Sequence, residues 1–333
     1  MLYVDLARRL APLDGVGRSE QELHPPIDLL RLFYGGRLAA LTLSHAGDAM
    51  ASEAFGGGLT GLRELSLLRP RLSAYGIGHV GCALGSTLVD LSVRGHTSLD
   101  PSAVALLCSL CPELRRLRLI ECGLALDAHG AAPLLTLRNL TDLDLGGNPL
   151  APSGVLALCS DRSEGQLRCL SFWGSSADDA CALGAMRMPA LTSLDASWTR
   201  LSYEGASCIT IGLSERLREL RLAHCNSLRP GECAAAVLPP IVAVGHLTTL
   251  SVGGLSLDEA DVLAICAIAS LTALDMSACR LATQLAVQAF SALRHAALSI
   301  AFGALADTHG RKKLTCALCV HPPRPRARVC TAR

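Results

Sequence analysis

The residues of this sequence best suited to chemistry lie near its C-terminal end. Cys316, Cys319, His321 and Cys330 combine a Cys-x-x-Cys pair with a histidine and a more distant cysteine. Thiolate and imidazole groups are ligands that zinc accepts. The second half of this set lacks the regular pair spacing of structural zinc sites, and it lies in a sequence rich in proline and arginine. We therefore predict no bound metal at these residues and no cofactor elsewhere.

Motifs for catalysis or phosphate binding are absent from the sequence. The ten histidines are scattered, and none stands with a serine or cysteine in a recognisable nucleophile motif. No GxxxxGK loop occurs, no GxGxxG precedes a helical pattern, and the glycines at 56–58 fall in a turn. The sequence therefore predicts a protein that is not an enzyme.

The composition predicts a folded core of aliphatic side chains. Half of the 333 residues are hydrophobic, 64 are leucine and only 3% are aromatic. This apolar fraction is too high for a disordered chain. The net charge of +1 gives no electrostatic reason to expect nucleic acid or an acidic membrane surface as the main partner. We predict a protein partner and no nucleic acid.

Cysteine usage indicates a reducing compartment. The 15 cysteines are an odd number, and they stand singly in apolar stretches where a free thiol packs as a small hydrophobic group. Asp5, Arg8 and Arg9 interrupt the apolar run that a secretion signal would need. The longest uncharged apolar run, residues 262–274, is shorter than the roughly 20 residues of a membrane span. We predict a cytoplasmic location without membrane insertion, with the nucleus, the cytoskeleton or an organelle matrix as alternatives.

A repeated leucine pattern occupies most of the chain. The sequence LxxLxL occurs eleven times, with 22 to 30 residues between successive starts. The first position is always leucine, the fourth is leucine except at Ala296, and the sixth is always apolar. The units start at Leu38, Leu62, Leu88, Leu114, Leu140, Leu167, Leu191, Leu217, Leu247, Leu271 and Leu293. This regularity predicts a solenoid of stacked units.

These units resemble the leucine-rich repeat family over residues 38–301. In that family the residue three places after the sixth position is commonly asparagine or cysteine, which can satisfy buried backbone groups. Here that place holds Cys122, Asn148, Cys225 and Cys279, with Ser175 and Thr199 as polar substitutes. The repeat length and the Cys-Pro pair at 111–112 are most similar to the cysteine-containing subclass of the family.

Five repeats have a different kind of residue at this place, and we expect the polar ladder to be broken there. These residues are Ala46, Pro70, His96, Leu255 and Ala301.

The resemblance implies an α/β fold, a leucine-rich repeat solenoid with a parallel β-sheet on the concave face and helices on the convex face. Neither a strand nor a helix of one unit can bury its apolar side alone, so the units must stack. Residues 101–111 fit such a helix, with Asp100 as its N-cap. A second helix is predicted over 258–269, capped by Asp258. Its predicted inward-facing residues are Val262, Ile265, Cys266 and Ala269.

The extent of the repeats divides the chain into three parts. Residues 1–37 contain no LxxLxL and are predicted to form an N-terminal cap. Residues 38–301 are the predicted solenoid. Residues 302–333 carry seven arginine or lysine residues against the single acid Asp307, and they include several prolines. We predict that this basic tail is disordered.

The third, fifth and seventh positions of each unit are predicted to face the concave side, because side chains alternate along a strand and the fourth and sixth are buried. Trp173 is predicted to be exposed there among polar residues, as interface hot spots are. Trp198 is predicted to lie beside it at the rim. The full set predicted to bind a partner is Arg94, Arg116, Arg118, Ile120, Asp142, Asp144, Trp173, Asp195, Trp198, Glu219 and Arg221.

The same residues could instead have a purely structural role, without binding a partner. Both indole rings could pack onto neighbouring side chains instead of meeting a partner. Arg118, Asp144 and Arg221 could pair with one another as solvated ion pairs. His224 is predicted to be a rim residue.

Together these features predict a non-catalytic scaffold that binds another protein through its concave face, alone or within a larger complex. The resemblance to the cysteine-containing subclass implies one alternative, a substrate-recognition adaptor of a ubiquitin ligase, although residues 1–37 match no ligase-docking module. A structural component of a large or cytoskeletal assembly is a second possibility, and a GTPase-activating protein is a third. The repeat pattern does not encode the partner's identity, because concave residues vary while the repeat stays the same.

Overall fold

The computed structural model describes residues 2–5, 38–56, 59, 61–96, 99–160, 165–225, 228, 245–281 and 299–301. These residues contain a sheet of twelve parallel strands, in which each strand pairs with the next one along the chain, and a separate two-stranded sheet of β11 and β13. The predicted α/β solenoid with a parallel sheet is confirmed. The strands are β1 (Leu2–Asp5), β2 (Ala40–Ser44), β3 (Glu64–Leu68), β4 (Asp90–Arg94), β5 (Arg116–Ile120), β6 (Asp142–Asp144), β7 (Cys169–Ser171), β8 (Ser193–Asp195), β9 (Glu219–Arg221), β10 (Thr249–Ser251), β11 (Ser256–Leu257), β12 (Ala273–Asp275), β13 (Arg280–Leu281) and β14 (Ser299–Ala301).

The strands pair in register, so that equivalent positions of successive repeats lie side by side. Leu65 of β3 lies beside Leu91 of β4, which lies beside Leu117 of β5. The fourth-position leucines therefore form one buried row on the helix side of the sheet. The fifth-position residues form a row on the opposite, concave face, because the side chains of a strand alternate between its two faces.

β1 is a strand that the repeat pattern did not indicate. Leu2 lies beside Leu41 and Val4 beside Leu43, so Leu2 and Val4 take the fourth and sixth positions of a unit. The sequence analysis missed this strand because its two apolar residues, Leu2 and Val4, are too few to be recognised as a repeat. The predicted N-terminal cap thus contributes one strand to the sheet, and its remaining residues lie outside the described ones.

The last strand begins later than predicted. β14 pairs Ile300 with Leu274, whereas a unit starting at Leu293 would have placed Ala296 beside that leucine. The observed register suits the sequence better, because a buried parallel strand favours a branched aliphatic residue over alanine. The predicted start at Leu293 is therefore wrong, and Ala301 belongs to the strand instead of the polar ladder.

Eight helices lie between the strands in the described part of the chain and cover one face of the sheet. Consecutive helices from the first to the seventh pack against each other. The helices are α1 (Asp48–Gly56), α2 (Ala74–Leu84), α3 (Pro101–Leu110), α4 (Ala128–Leu135), α5 (Pro152–Ser160), α6 (Asp179–Ala185), α7 (Tyr203–Leu213) and α8 (Glu259–Cys266).

Aspartates cap the two helices that the sequence predicts in detail. The carboxylate of Asp100 accepts the N–H of Ser102 at 2.8 Å and begins α3. At the start of α8, the carboxylate of Asp258 accepts the N–H of Asp261 at 2.9 Å, and the carboxylate of Asp261 accepts the N–H of Asp258 at 3.1 Å. Both predicted N-caps are confirmed.

The end of α8 differs from the prediction. Val262 and Ile265 are buried as expected, but the helix ends at Cys266, which is half-buried. Ala269 is exposed, and Ile268 is buried in its place. The prediction for Ala269 is wrong because the helical period of 3.6 residues does not continue beyond the end of the helix.

The core consists of aliphatic side chains, as the composition predicts. Among the described residues, Phe172 is the largest fully buried side chain, and most of the other large ones that are fully buried are leucines of the repeat. All eleven cysteines in the described ranges are free thiols, and seven of them are buried. None of the helices in these ranges has both the length and the apolar character needed to cross a bilayer.

Candidate functional site

A polar ladder closes the turns that follow the strands, and Asn148 is its best-bonded member. Its Oδ1 accepts the N–H groups of Cys122, at 2.9 Å, and of Leu124, at 3.1 Å. Its Nδ2 donates to the carbonyl groups of Leu145, at 2.8 Å, and of Leu119. One buried side chain therefore satisfies backbone groups of two successive repeats, which is the role that the repeat pattern predicts.

Cysteines extend the ladder to further repeats. The thiol of Cys122 donates to the carbonyl of Val93 at 3.3 Å, and the thiol of Cys279 donates to the carbonyl of Val252 at 3.0 Å. Burial raises the pKa of both thiols to about 11. They are therefore protonated donors at neutral pH, and their environment disfavours a nucleophilic role.

His96 belongs to the ladder, contrary to the prediction that it breaks it. The residue is buried, and its Nε2–H group donates to the carbonyl of Leu72 at 2.7 Å. An imidazole can replace the amide of an asparagine here because both present an N–H donor to a buried carbonyl. Ala46, Pro70 and Leu255 have no polar side-chain atom, so the ladder is broken at these residues, as predicted.

The residue before each ladder position has a left-handed backbone, a feature that sequence analysis missed. In the ten repeats from β2 to β12, φ at this place lies between +48° and +73°. Glycine occupies four of the ten places and was the available signal, because it adopts this conformation without steric cost. We call these residues the rim column: His45, Arg69, Gly95, Glu121, Gly147, Gly174, Trp198, His224, Gly254 and Ala278.

Trp198 and His224 are neighbours in the rim column, and their rings stack with 3.9 Å between centroids and 21° between planes. Trp198 is nevertheless 56% exposed. The preceding rim residue is Gly174, which has no side chain to cover the second face of the indole. His224 lies over Gly254, where an added Cβ would overlap the imidazole. The ring partner of Trp198 is thus His224 and not Trp173, which corrects the predicted arrangement and confirms His224 as a rim residue.

Trp173 is half-buried, not exposed. Its indole lies over Gly146 and Gly147 of the preceding repeat. A Cβ added to Gly146 would overlap the ring, and one added to Gly147 would lie 3.0 Å from Cη2. The prediction that Trp173 is exposed is therefore wrong, and its ring takes part in local packing, whereas its role in partner binding stays a prediction.

The acidic residues at outward positions of β3 to β5 are ion-paired. The Nε of Arg116 lies 2.7 Å from an oxygen of Asp90, and a guanidinium nitrogen of Arg118 lies 3.5 Å from the second oxygen. Arg116 also reaches Glu64 at 3.7 Å. Arg118 therefore pairs with Asp90, and not with the fifth-position aspartate of the next strand.

Arg94 and Ile120 lie side by side at the seventh positions of β4 and β5. The guanidinium of Arg94 lies 3.5 Å from the carboxylate of Glu121 in the rim column, and both side chains are about half exposed. Ile120 is half-buried. Both residues therefore reach the edge of the concave face, as predicted.

A hollow of about 170 Å³ lies over β2 to β5 on the concave face. Its lining includes the hydroxyl residues Thr42, Ser66 and Ser92, with Glu64 and Arg118 beside them. The Oγ1 of Thr42 is buried and has no hydrogen-bond partner among the described residues. The hollow is shallow and lined by both polar and apolar residues, and its volume suits a single side chain of a partner.

Fifth-position aspartates end three strands in the C-terminal half of the sheet. In each, a carboxylate oxygen accepts the N–H of the residue two places later, at 2.9 to 3.0 Å. The three bonds join Asp144 to Gly146, Asp195 to Ser197 and Asp275 to Ser277. These carboxylates are therefore held in place on the concave face by the turn that follows them.

Asp195 and Asp275 occupy equivalent positions, but their pKa values are shifted in opposite directions. Ser251 lies beside Asp275 and donates its hydroxyl to it at 2.8 Å, whereas the hydroxyl of Ser171, beside Asp195, is buried without a partner in the described structure. Burial raises the pKa of Asp195, and the negative charge of Asp144 adds to this effect. Burial also acts on Asp275, but the hydrogen bonds that it accepts outweigh burial and lower its pKa.

The remaining predicted residues lie on β6 and β9. Glu219 and Arg221 pair at 3.3 Å, and Glu219 also accepts the hydroxyl of Ser193 at 3.2 Å. Asp142 accepts the hydroxyl of Thr141 at 2.6 Å. The outward positions from β6 to β12 thus hold five acids against Arg221, whereas those of β3 to β5 hold two acids and three arginines. The concave face is therefore acidic in its C-terminal half.

Metal ligation has no support in the described ranges, where no group of three or more histidine, cysteine or acidic residues could hold an ion. Cys316, Cys319, His321 and Cys330 lie outside these ranges, so the prediction for them stays untested by the structure.

Comparisons with known proteins agree with the repeat architecture. A Leucine Rich repeat family model matches residues 136–159. The fold is similar to an internalin of Listeria monocytogenes, with 16% identity, a TM-score of 0.49, and coverage of 80% of this chain and 72% of that one. It is similar to a leucine-rich repeat protein of Leptospira interrogans, with 18% identity, a TM-score of 0.45, and coverage of 80% and 73%.

A third similar structure is the yeast complex of Rad7 and Elc1, with 14% identity, a TM-score of 0.50, and coverage of 85% of this chain and 76% of that one. At this identity the likeness concerns the fold alone. No curated protein matches the sequence. The cysteine-containing subclass is not tested by these similarities and stays a prediction.

Proposed function

We propose that this leucine-rich repeat solenoid is a non-catalytic scaffold that binds a partner protein through its concave face and the adjoining rim. The observation that carries the proposal is Trp198, a large aromatic side chain that is 56% exposed and held in place by stacking on His224. Exposed tryptophans beside polar residues are typical of interface hot spots. Trp198 follows Asp195, a residue of the concave face, by three positions in the chain.

Pre-organisation is the physical basis of this function. The outward side chains stand on strands that pair in register, over rows of buried leucines. Asp144 and Asp195 are fixed further by bonds to their own turns. A surface that is already ordered loses little conformational entropy when a partner binds, so its contacts contribute more fully to affinity.

Two further observations support an interaction role in a reducing compartment. The similar fold in the Rad7–Elc1 structure occurs in a complex of two proteins. The described cysteines are free, and burial raises the pKa of several of their thiols, which suits a structural role in a reducing environment such as the cytoplasm.

Partner capture tests the proposal. The full chain, fused to a proximity-labelling enzyme in its native cell, would identify candidate partners, and the affinity of the purified chain for each would then be measured. Trp198→Ala should weaken binding by about 30-fold, because hot-spot truncations cost about 2 kcal/mol or more. Ile211→Ala is the matched control, since Ile211 is 59% exposed on α7 and lies on the convex side. Equal affinity of both variants and the parent would contradict the assignment of this face.

A further inference from the structure

Most acidic groups on the C-terminal half of the concave face are not matched by basic side chains in the described structure. Glu219 pairs with Arg221, which also lies beside Asp195 on the neighbouring strand. No ion pair within 4 Å to Asp142, Asp144, Asp195 or Asp275 occurs within the part of the chain that the structure describes. On β3 to β5, by contrast, arginines pair with both outward acids. The unpaired charges form a patch along β6 to β12 that would attract a cationic segment.

Trp198 borders this patch and has one ring face that no rim side chain covers. His224 stacks on one face of the indole, and the rim residue on the opposite side is Gly174. Trp198 follows Asp195 by three residues, so the ring and the carboxylate lie within roughly 10 Å of each other along the chain. An uncovered indole face beside carboxylates suits a planar cation or a proline ring.

One segment of this chain has the complementary chemistry. Residues 321–328 read HPPRPRAR and combine three prolines with Arg324, Arg326 and Arg328. Arginine can pair with a carboxylate and stack on an indole, and proline-rich segments dock on aromatic surfaces with little loss of entropy. No acid lies between residues 308 and 333, so the whole segment carries positive charge.

We propose that residues 321–328 bind in cis to the acidic patch of β6 to β12, with a proline or arginine against the free face of Trp198 and the remaining arginines against Asp142, Asp144 and Asp195. The inference rests on the proposed function, because it concerns the same face, and it adds regulation to it. A tail bound there covers the partner-binding surface, so a partner must displace it.

The chain is long enough for this contact. β14 ends at Ala301, and four strand spacings of about 4.8 Å separate β14 from β8, a distance of roughly 19 Å. The connecting residues 302–320 number 19, and 19 residues reach at most roughly 60 Å, which exceeds this distance. Tethering at such a distance gives an effective concentration on the order of millimolar, so even a weak contact is occupied.

Fluorescence of Trp198 in the full-length chain tests the inference without any external partner. Trp173 and Trp198 are the only tryptophans, so Trp173→Phe leaves one reporter, and circular dichroism would check that this background is folded. Acrylamide quenching of Trp198 should rise about twofold when Arg324, Arg326 and Arg328 are all changed to Glu, and also when the background protein is placed in high salt, which screens exposed charge pairs.

Charge exchange and a matched control separate binding from general effects of charge. Adding Asp142→Lys to the tail variant should lower quenching again in part, because one of the three proposed carboxylate contacts is then reversed, while Asp144 and Asp195 keep the bonds to their turns. Changing Arg115, Arg138 and Arg187 to Glu gives the same change in net charge at exposed residues off the concave face, and it should leave quenching unchanged.

Two outcomes would overturn the inference. Quenching that is the same in the background and in the tail variant would show that the tail does not cover Trp198, while partner capture by the concave face would still be measured separately. Protection that disappears on roughly 50-fold dilution would assign the contact to a second copy of the chain, because a tethered contact does not depend on protein concentration.

Discussion

Trp198 and His224 stack ring on ring although both have a left-handed backbone, with φ of +59° and +57°. This conformation costs roughly 1–2 kcal/mol for a residue that has a Cβ. It also turns consecutive rim side chains in the same direction, one repeat apart, so that the two rings meet. The left-handed backbone of the rim column therefore brings the two rings together as an ordered aromatic surface. The proposed interaction depends on this surface.

Removing the imidazole should loosen Trp198. His224→Ala is expected to reduce the free energy of unfolding by about 1 kcal/mol, the usual contribution of an aromatic pair. It should also increase acrylamide quenching of Trp198 in the Trp173→Phe background. His224→Phe keeps a flat ring at the same place and should retain most of both properties. A parent-like result for His224→Ala would mean that the stack does not hold the indole.

Ala278 allows a direct measurement of strain in the rim column. Its φ is +57°, and the residue is exposed, so Ala278→Gly removes the steric cost without removing a packed side chain. We expect the free energy of unfolding to rise by about 1 kcal/mol. Ala132→Gly, at an exposed position inside α4, is the control and should lower it by about 0.5–1 kcal/mol. Chemical denaturation of both variants would show opposite signs if the backbone of Ala278 is strained.

The packing of the Trp173 indole over Gly146 predicts that a side chain at position 146 would be destabilising. Gly146→Ala should destabilise the protein by about 1–3 kcal/mol, because the new methyl group overlaps the indole and a packed ring cannot move without loss of contacts. Gly56→Ala is the control, since an added Cβ there meets nothing within 4 Å. In the double variant Gly146→Ala with Trp173→Ala, the alanine at position 146 should cost much less than it does alone. An equal cost in both backgrounds would contradict the contact.

Asp195 and Asp275 should respond to pH with opposite signs. The pKa of Asp195 is raised in the folded protein, so the native state binds the proton more tightly and ionisation at neutral pH opposes folding. Asp195→Asn should therefore stabilise the protein at neutral pH, and the gain should vanish as the pH falls below the ordinary value of 3.8. The amide oxygen can still accept the N–H of Ser197.

The pKa of Asp275 is lowered, so its ionised form contributes stability above the ordinary value of 3.8, and this contribution is lost as the pH falls. Asp275→Asn should destabilise the protein at neutral pH, and the loss should shrink in acid. Denaturation of both variants from neutral to acidic pH measures the two trends. If they ran in the same direction, the difference between Ser171 and Ser251 would not explain the protonation of the neighbouring aspartates.

The spacing of the leucines predicted much of the fold. A buried row in a parallel sheet requires an apolar residue at the same place of every repeat, so the position of ten strands followed from LxxLxL. β14 differs from the prediction because Ile300, and not Ala296, pairs with Leu274 of β12. The pattern did not predict β1, because its two apolar residues, Leu2 and Val4, are too few to form a recognisable repeat.

The predicted binding residues stand at outward positions of the strands or in the rim column, but their environments were not predictable, and their binding of a partner stays a prediction. Arg118 faces outward as expected, yet its partner Asp90 lies on the neighbouring strand, 28 residues earlier. Trp173 and Trp198 were predicted to lie beside each other, the first on the concave face and the second at the rim. The first lies over two glycines of the preceding repeat, and the second stacks on a histidine of the following one.

The sequence by itself determined the repeat, the burial of its leucines, the helix caps at Asp100 and Asp258, and the row in which each outward residue stands. These properties depend on how residue types are spaced over a few neighbouring positions, and the sequence gives that spacing directly. Only the tertiary structure decided which charges are paired, which aspartate holds its proton more tightly, and which tryptophan stays open to solvent. Those properties depend on residues about 25 positions apart that become neighbours when one repeat stacks on the next.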